Sequence, residues 1–157
     1  MRLLIAALAA LAALCLAPAA LAGGPTMLVG ATEDSAQQPS LALAKAQMDM
    51  AKLTGLNAVR FSANWDRGQT APLPDAVGRL QNAVAAANLD HIRPILSLYP
   101  RGSSQTPLTD TERADFARWA VALTAVVPTV HEVIVGNEPN LNRFWLPQFN
   151  DDGSVPV

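Results

Sequence analysis

One cysteine stands in 157 residues, and it is Cys15, inside an apolar N-terminal run. Past that run the chain has no thiol, so disulfides are excluded and stability must come from an ordinary hydrophobic core. Histidine is almost as scarce: His91 and His131 are the two. Neither has a second histidine or a carboxylate at ligand spacing, so no metal site is supported. Charged residues make up only 15% of the chain, with a formal net charge of −2. That mild acidity argues against nucleic acid or an anionic membrane as partner. No Gly-rich phosphate cradle and no serine in a nucleophile-elbow context is present, which removes two further classes. Nor does a Gly- or Ser-rich linker, a charge block or an internal repeat divide the chain, which reads as one domain.

The N-terminus reads as an address. Arg2 is a single basic residue, Leu3 to Leu16 is rich in Leu and Ala, and Ala20-Leu21-Ala22 is a small-x-small cleavage site before Gly23. This is the pattern of a secretory signal peptide over residues 1–22, too short and wrongly flanked for a membrane span. Leu14 ahead of Cys15 fits a lipoprotein site poorly. The expected mature chain is residues 23–157, secreted to the extracellular space or periplasm, with ten Lys and Arg (eleven less Arg2) against thirteen Asp and Glu.

The remainder alternates between two periods. Apolar runs at Met27–Ala31, Ala58–Ser62, Ile95–Tyr99 and from Val133 read as strands. Between them lie helical patterns: Leu41, Ala44, Met48 and Ala51 after a Ser40 cap; Val77, Leu80, Val84 and Ala87 after Pro74; Phe116, Ala120, Leu123 and Val127 after a Thr109/Glu112 capping box. Strands alternating with helices predict an α/β fold with a parallel sheet. The spacing of roughly 30–40 residues per unit is that of a (β/α)8 TIM barrel of ~250 residues, of which about the first four units are present. A small, complete, doubly wound sheet is the structural alternative.

Val133-Ile134-Val135-Gly136-Asn137-Glu138-Pro139-Asn140 is the most informative stretch. Three β-branched residues predict a strand buried on both faces. Gly136 permits a close backbone approach and Pro139 ends the ladder. Glu138, with Asn137 beside it, is thereby delivered to the carboxyl end of a strand, where α/β folds place their chemistry. A solvated Glu at an ordinary strand exit is the plainer reading, and the Asn-Glu-Pro-Asn context favours a site. Arg60, between Val59 and Phe61, needs a buried partner or an edge position. Trp65 and Trp145 are loop aromatics suited to stacking on pyranose rings or to anchoring their loops. Tyr99, at a strand end, is placed to donate a hydrogen bond. Trp119 reads as helix packing.

With Asn137-Glu138-Pro139 after its fourth strand, the chain resembles the clan A glycoside hydrolases, the cellulase-like and xylosidase-like retaining enzymes built on (β/α)8 barrels. The resemblance implies that Glu138 is the general acid/base and that Asn137 bonds the sugar 2-hydroxyl. It also implies that Arg60 steadies a nucleophilic carboxylate, with Asn64 and Trp65 facing the sugar and an oligo- or polysaccharide as substrate. No cofactor is implied. The clan's nucleophile is a second Glu closing strand seven, a strand this sequence does not contain. Glu33, Asp34, Asp66, Asp151 and Asp152 occur in no motif that implies a substitute, so the chain alone is expected to be inactive. The alternatives are a non-catalytic secreted carbohydrate-binding or scaffold protein of the same fold, and a doubly wound domain with an unrelated ligand. A half barrel would leave two sheet edges unpaired and is expected to aggregate or dimerise.

Overall fold

Local signals start each helix where the chain writes them. The computed structural model describes residue 24 and residues 26–154; the leader expected over residues 1–22 lies outside them. Helix α1 (Leu41–Leu53) begins where Ser40 Oγ accepts from Leu43 N at 3.4 Å. Helix α2 (Pro74–Leu89) opens on its proline, whose missing N–H would be unpaired in the first turn anyway. Helix α3 (Asp110–Ala125) carries the full reciprocal box: Glu112 N donates to Thr109 Oγ1 at 3.2 Å and Thr109 N to Glu112 Oε2 at 2.9 Å.

The strands are β1 (Gly30–Thr32), β2 (Ala58–Trp65), β3 (Arg93–Pro100) and β4 (Glu132–Val135). They form one sheet in the order β1-β2-β3-β4, every pair parallel. The order never reverses. A doubly wound sheet reverses at its switch point, so that alternative does not describe this chain. Gly30 is required where it stands: a Cβ there would lie 2.7 Å from the Ala58 carbonyl oxygen.

One face of the sheet carries the core. Val59, Phe61 and Trp65 of β2 and Leu96 and Leu98 of β3 share a cluster with residues of all three helices. Alternate residues of a strand point to opposite faces. The other face therefore presents Arg60, Ser62 and Asn64, and opposite them in register Ile95, Ser97 and Tyr99. The strands are thus not uniformly apolar. Every second residue of β2 from Arg60 onward is polar, with Phe61, Ala63 and Trp65 alternating on the core face.

Three expectations about the strands need correction. The second strand runs to Trp65 rather than stopping at Ser62. The first pairs over Gly30–Thr32 only, although Val29 O accepts from Asn57 N at 2.9 Å. The fourth is not buried on both faces: Val133, Ile134 and Val135 are 43, 42 and 70% exposed. The apolar run reports what the side chains would prefer, and β4 is an edge whose only strand partner among the described residues is β3.

Candidate functional site

The register fixes which residues meet at the carboxyl end of the sheet. Leu98 is level with Val135, and the ladder runs one step further through Gly136 N donating to Leu98 O at 2.8 Å. Asn64 is level with Tyr99, so Asn64, Tyr99 and Gly136 form one row, a single step short of the final pair Trp65 and Pro100. Gly136, at φ +83°, then turns the chain out of the sheet. Asn137 and Glu138 follow directly above that row. Asn137 is half-buried and Glu138 is exposed.

Glu138 holds a left-handed backbone, φ 40°, that L residues with a Cβ adopt at a cost of about 1–2 kcal/mol. A one-turn closure keeps it there: Glu138 O accepts from Leu141 N at 2.9 Å, and Gln148 Nε2 donates to Pro139 O at 3.0 Å. The segment beyond is tied down at Arg143, whose carbonyl accepts from Ser103 N at 3.1 Å, and at Leu146, whose N donates to Thr106 Oγ1 at 3.2 Å. Strain held by surrounding bonds is common at functional sites.

Arg60 lies lower. It is level with Ile95 and Glu132, four residues below Asn64, about 13 Å down the strand at ~3.3 Å per residue. Its Nε is buried with no hydrogen-bond partner, and so is the hydroxyl of Ser97, whose side chain is wholly enclosed. Both belong to the face turned away from the helices. An unsatisfied buried polar atom costs roughly 1–3 kcal/mol, so two on one face mark it as a surface that would gain from polar partners. Sequence reading found Arg60 and missed Ser97. The signal lay in the Ser62/Ser97 pairing, which needs the register to be seen.

Two of the expected sugar platforms are placed elsewhere. Trp65 is the last residue of β2, points into the helix layer and is 0% exposed. Its ring meets Phe116 edge-on at 5.5 Å and its Nε1 donates to Gln69 O at 2.8 Å. Period-2 alternation puts it with Val59 and Phe61, so it cannot stack on a ligand at the mouth. Trp145 is half-buried behind the sheet, lining an apolar cavity of about 310 Å³ with Phe116, Val135, Gly136 and Leu108. Trp119, read as packing, does pack: it is 2% exposed and stacked on Phe116 at 5.7 Å.

Of the two carboxylates after the first strand, Glu33 accepts from the Ser35 hydroxyl and Asp34 serves the backbone. Past the end of β1, Asp34 Oδ1 accepts from Ser62 N at 2.6 Å and Gln37 Nε2 donates to Ser62 O at 2.9 Å, so two side chains extend the ladder that β1 leaves short. Asp66 is held by Arg101 Nε at 2.9 Å. A second cavity, of about 320 Å³, opens at this corner among Asp34, Gln37, Asn64, Gln69 and Arg101. Neither cavity is lined by Asn137 or Glu138. Among the described residues no group of three or more His, Cys, Asp or Glu is arranged to hold a metal ion, and no helix is long and apolar enough to cross a membrane.

No protein-family model matches this chain, and a comparison with curated proteins finds no match.

Proposed function

We propose that this sheet is one half of a (β/α)8 barrel and that Glu138 is the general acid/base of a secreted retaining glycoside hydrolase acting on an oligo- or polysaccharide. The observation that carries the reading is the position of Asn137-Glu138 immediately past the carboxyl end of β4, in a parallel sheet whose strand order never reverses. Successive right-handed crossovers then put all helices on one face, the winding a barrel needs. The other face, with Arg60, Ser97 and Tyr99, becomes the interior, where four further strands would supply the polar partners that Arg60 Nε and Ser97 Oγ lack. Asn137, Asn64 and Tyr99 are the residues nearest the mouth to bind sugar hydroxyls.

In this reading Glu138 protonates the glycosidic oxygen as the anomeric C–O bond breaks, while a second carboxylate ~5–5.5 Å away attacks the anomeric carbon. It then takes a proton from the water that releases the glycosyl-enzyme. In this reading a further set of strand–helix units would supply that second carboxylate. The second reading is a non-catalytic carbohydrate-binding or scaffold protein of the same fold, in which the polar residues at the carboxyl end of the sheet, Asn64, Tyr99 and Asn137, bind sugar without a reaction.

The test is Glu138→Gln in a reading frame that contains all eight units. Loss of the acid should lower kcat by about 10²–10⁴ on an unactivated oligosaccharide. The loss of glycosylation rate should be much smaller on an aryl glycoside whose leaving group needs no proton. An equal loss on both, or none on either, would remove Glu138 from the role.

A further inference from the structure

The two open edges of the sheet fit each other. Among the described residues β1 pairs only with β2 and β4 only with β3. Along a strand, successive residues turn their backbone N–H and C=O to alternate sides. Val29 O accepts from Asn57 N at 2.9 Å and Glu33 N donates to Arg60 O at 3.1 Å, so Leu28, Gly30 and Thr32 turn theirs to the open side. Gly136 N donates to Leu98 O, so Val133 and Val135 do the same on β4. Exposed apolar side chains accompany both edges: Leu28 and Val29 on one, Val133, Ile134 and Val135 on the other.

A barrel dictates the register in which such edges meet. Thr32, Arg60, Ile95 and Glu132 are level across the four strands. Barrel strands coil right-handed about the axis, so a level row descends as it passes from strand to strand. With a shear of about eight residues for eight strands, it descends by about four over half the barrel. A copy of β1 placed after β4 would therefore meet Glu132 not with Thr32 but with Leu28. Val133 is then level with Val29, Ile134 with Gly30, Val135 with Ala31 and Gly136 with Thr32. Every pair has one residue turned into the seam and one turned away, which a parallel ladder requires. The even offset also keeps the faces matched, Val29 with Val133 on the helix side and Gly30 with Ile134 inside. Thr32 ends β1 and Gly136 ends the β4 ladder, so the two strands finish in one row. A flat continuation, with Thr32 beside Glu132, would overlap the two strands in that row alone.

We propose that a second copy of this chain completes the barrel: β4 of each copy pairs with β1 of the other, Glu132 beside Leu28, and both Glu138 residues come to one mouth. The inference rests on the barrel reading above and names its further strand–helix units as those of the second copy; it does not rest on Glu138 being an acid. Head-to-tail pairing of this kind runs on into a filament unless the rotation closes. Four strands with all helices on one face turn through half of an eight-stranded barrel, so closure comes at two copies. Arg60 Nε and Ser97 Oγ, buried without partners, then face the polar side of the other copy across the interior.

Disulfide trapping tests it, because Cys15 is the one cysteine in the sequence and Cys15→Ser removes it. In that background Val29→Cys with Val133→Cys places two thiols side by side across the seam, on strands about 4.8 Å apart, within the range a disulfide spans. Inside one copy β1 and β4 are three strand spacings apart, about 14 Å, so no bridge forms within a chain. Oxidation should give a covalent dimer with two bridges and nothing larger, read by non-reducing electrophoresis and mass spectrometry. Val29→Cys with Val135→Cys, on the same face but two residues out of register, should trap about tenfold less. Reduced variants should match the parent by circular dichroism, since the changed valines are exposed. Glu138→Gln added to the trapping pair should cross-link as its parent does. A ladder of covalent trimers and longer species would show edges that pair without closing, and would overturn this inference and the barrel reading together. A chain that stays monomeric, or dimers trapped better by the Val29/Val135 pair, would overturn this inference alone and leave the hydrolase reading to a frame that itself encodes the further units. A trapped dimer that cleaves no aryl glycoside would uphold the closure and count against Glu138 as the acid.

Discussion

Asn64 and Trp65 are neighbours in the chain with opposite surroundings. Both were expected to face a sugar, because the strand was read as ending at Ser62. Since β2 continues to Trp65, the pleat sends Asn64 to the polar face and Trp65 into the core. The information was present: Val59, Phe61 and Trp65 recur at even spacing, and Trp65 continues the series. What hid it was Asn64, a residue that favours turns and argued for a loop. The two positions therefore differ in what a substitution costs. Trp65→Ala removes a ring that is wholly buried, leaves the Gln69 carbonyl without its indole donor, and should destabilise the fold by about 3–5 kcal/mol in urea unfolding. Asn64→Ala should change stability by less than about 1 kcal/mol. A Trp65→Ala chain as stable as its parent would return the ring to the surface and reopen its role as a stacking platform.

At the scale of elements, helix starts were the most legible feature because their chemistry is local. Ser40, Pro74 and the Thr109/Glu112 pair act on backbone groups within one turn, and no knowledge of the rest of the fold is needed. Strand ends and strand burial depend on neighbours that the sequence does not name: two of the three strand corrections concern an end, and the third concerns which faces of β4 are covered. The capping box also has a pH signature. Hydrogen bonds from the backbone of Thr109, then of Leu108, with Arg67 2.9 Å away, hold the Glu112 carboxyl below the ordinary glutamate range. A depressed pKa contributes stability that is complete above the unfolded-state value, about 4.3, and that fades as pH falls through the lowered folded value. Glu112→Gln should therefore lower the midpoint of thermal unfolding near neutral pH and converge with the parent in acid. A difference that persists unchanged below the lowered value would mean that the carboxylate's charge is not what the cap uses.

For the whole molecule, the alternation of units was readable and the order of the strands was not. Composition gives the same strands to a singly and to a doubly wound sheet; the order β1-β2-β3-β4 separates those two. Among the described residues that order leaves β1 and β4 as edges with exposed apolar residues beside or in them: Met27, Leu28 and Val29 just ahead of β1, and Val133, Ile134 and Val135 in β4. Natural sheets cover or charge such edges, because unpaired N–H and C=O groups beside apolar side chains template association. Neither edge here carries a lysine. The chain should accordingly self-associate with rising concentration in sedimentation velocity, through pairing of β4 with a strand of another copy. Val135 is the residue to change, since it is 70% exposed and sits at the end of the edge strand. Val135→Lys should shift the population toward monomer, because pairing would have to desolvate the ammonium. The monomer's own stability should move by no more than about 0.5 kcal/mol, as is usual for an exposed position. Association that is unaffected by Val135→Lys would place the sticky surface elsewhere, and the exposed face of α1 at Leu43, Met50 and Leu53 would be the next to charge.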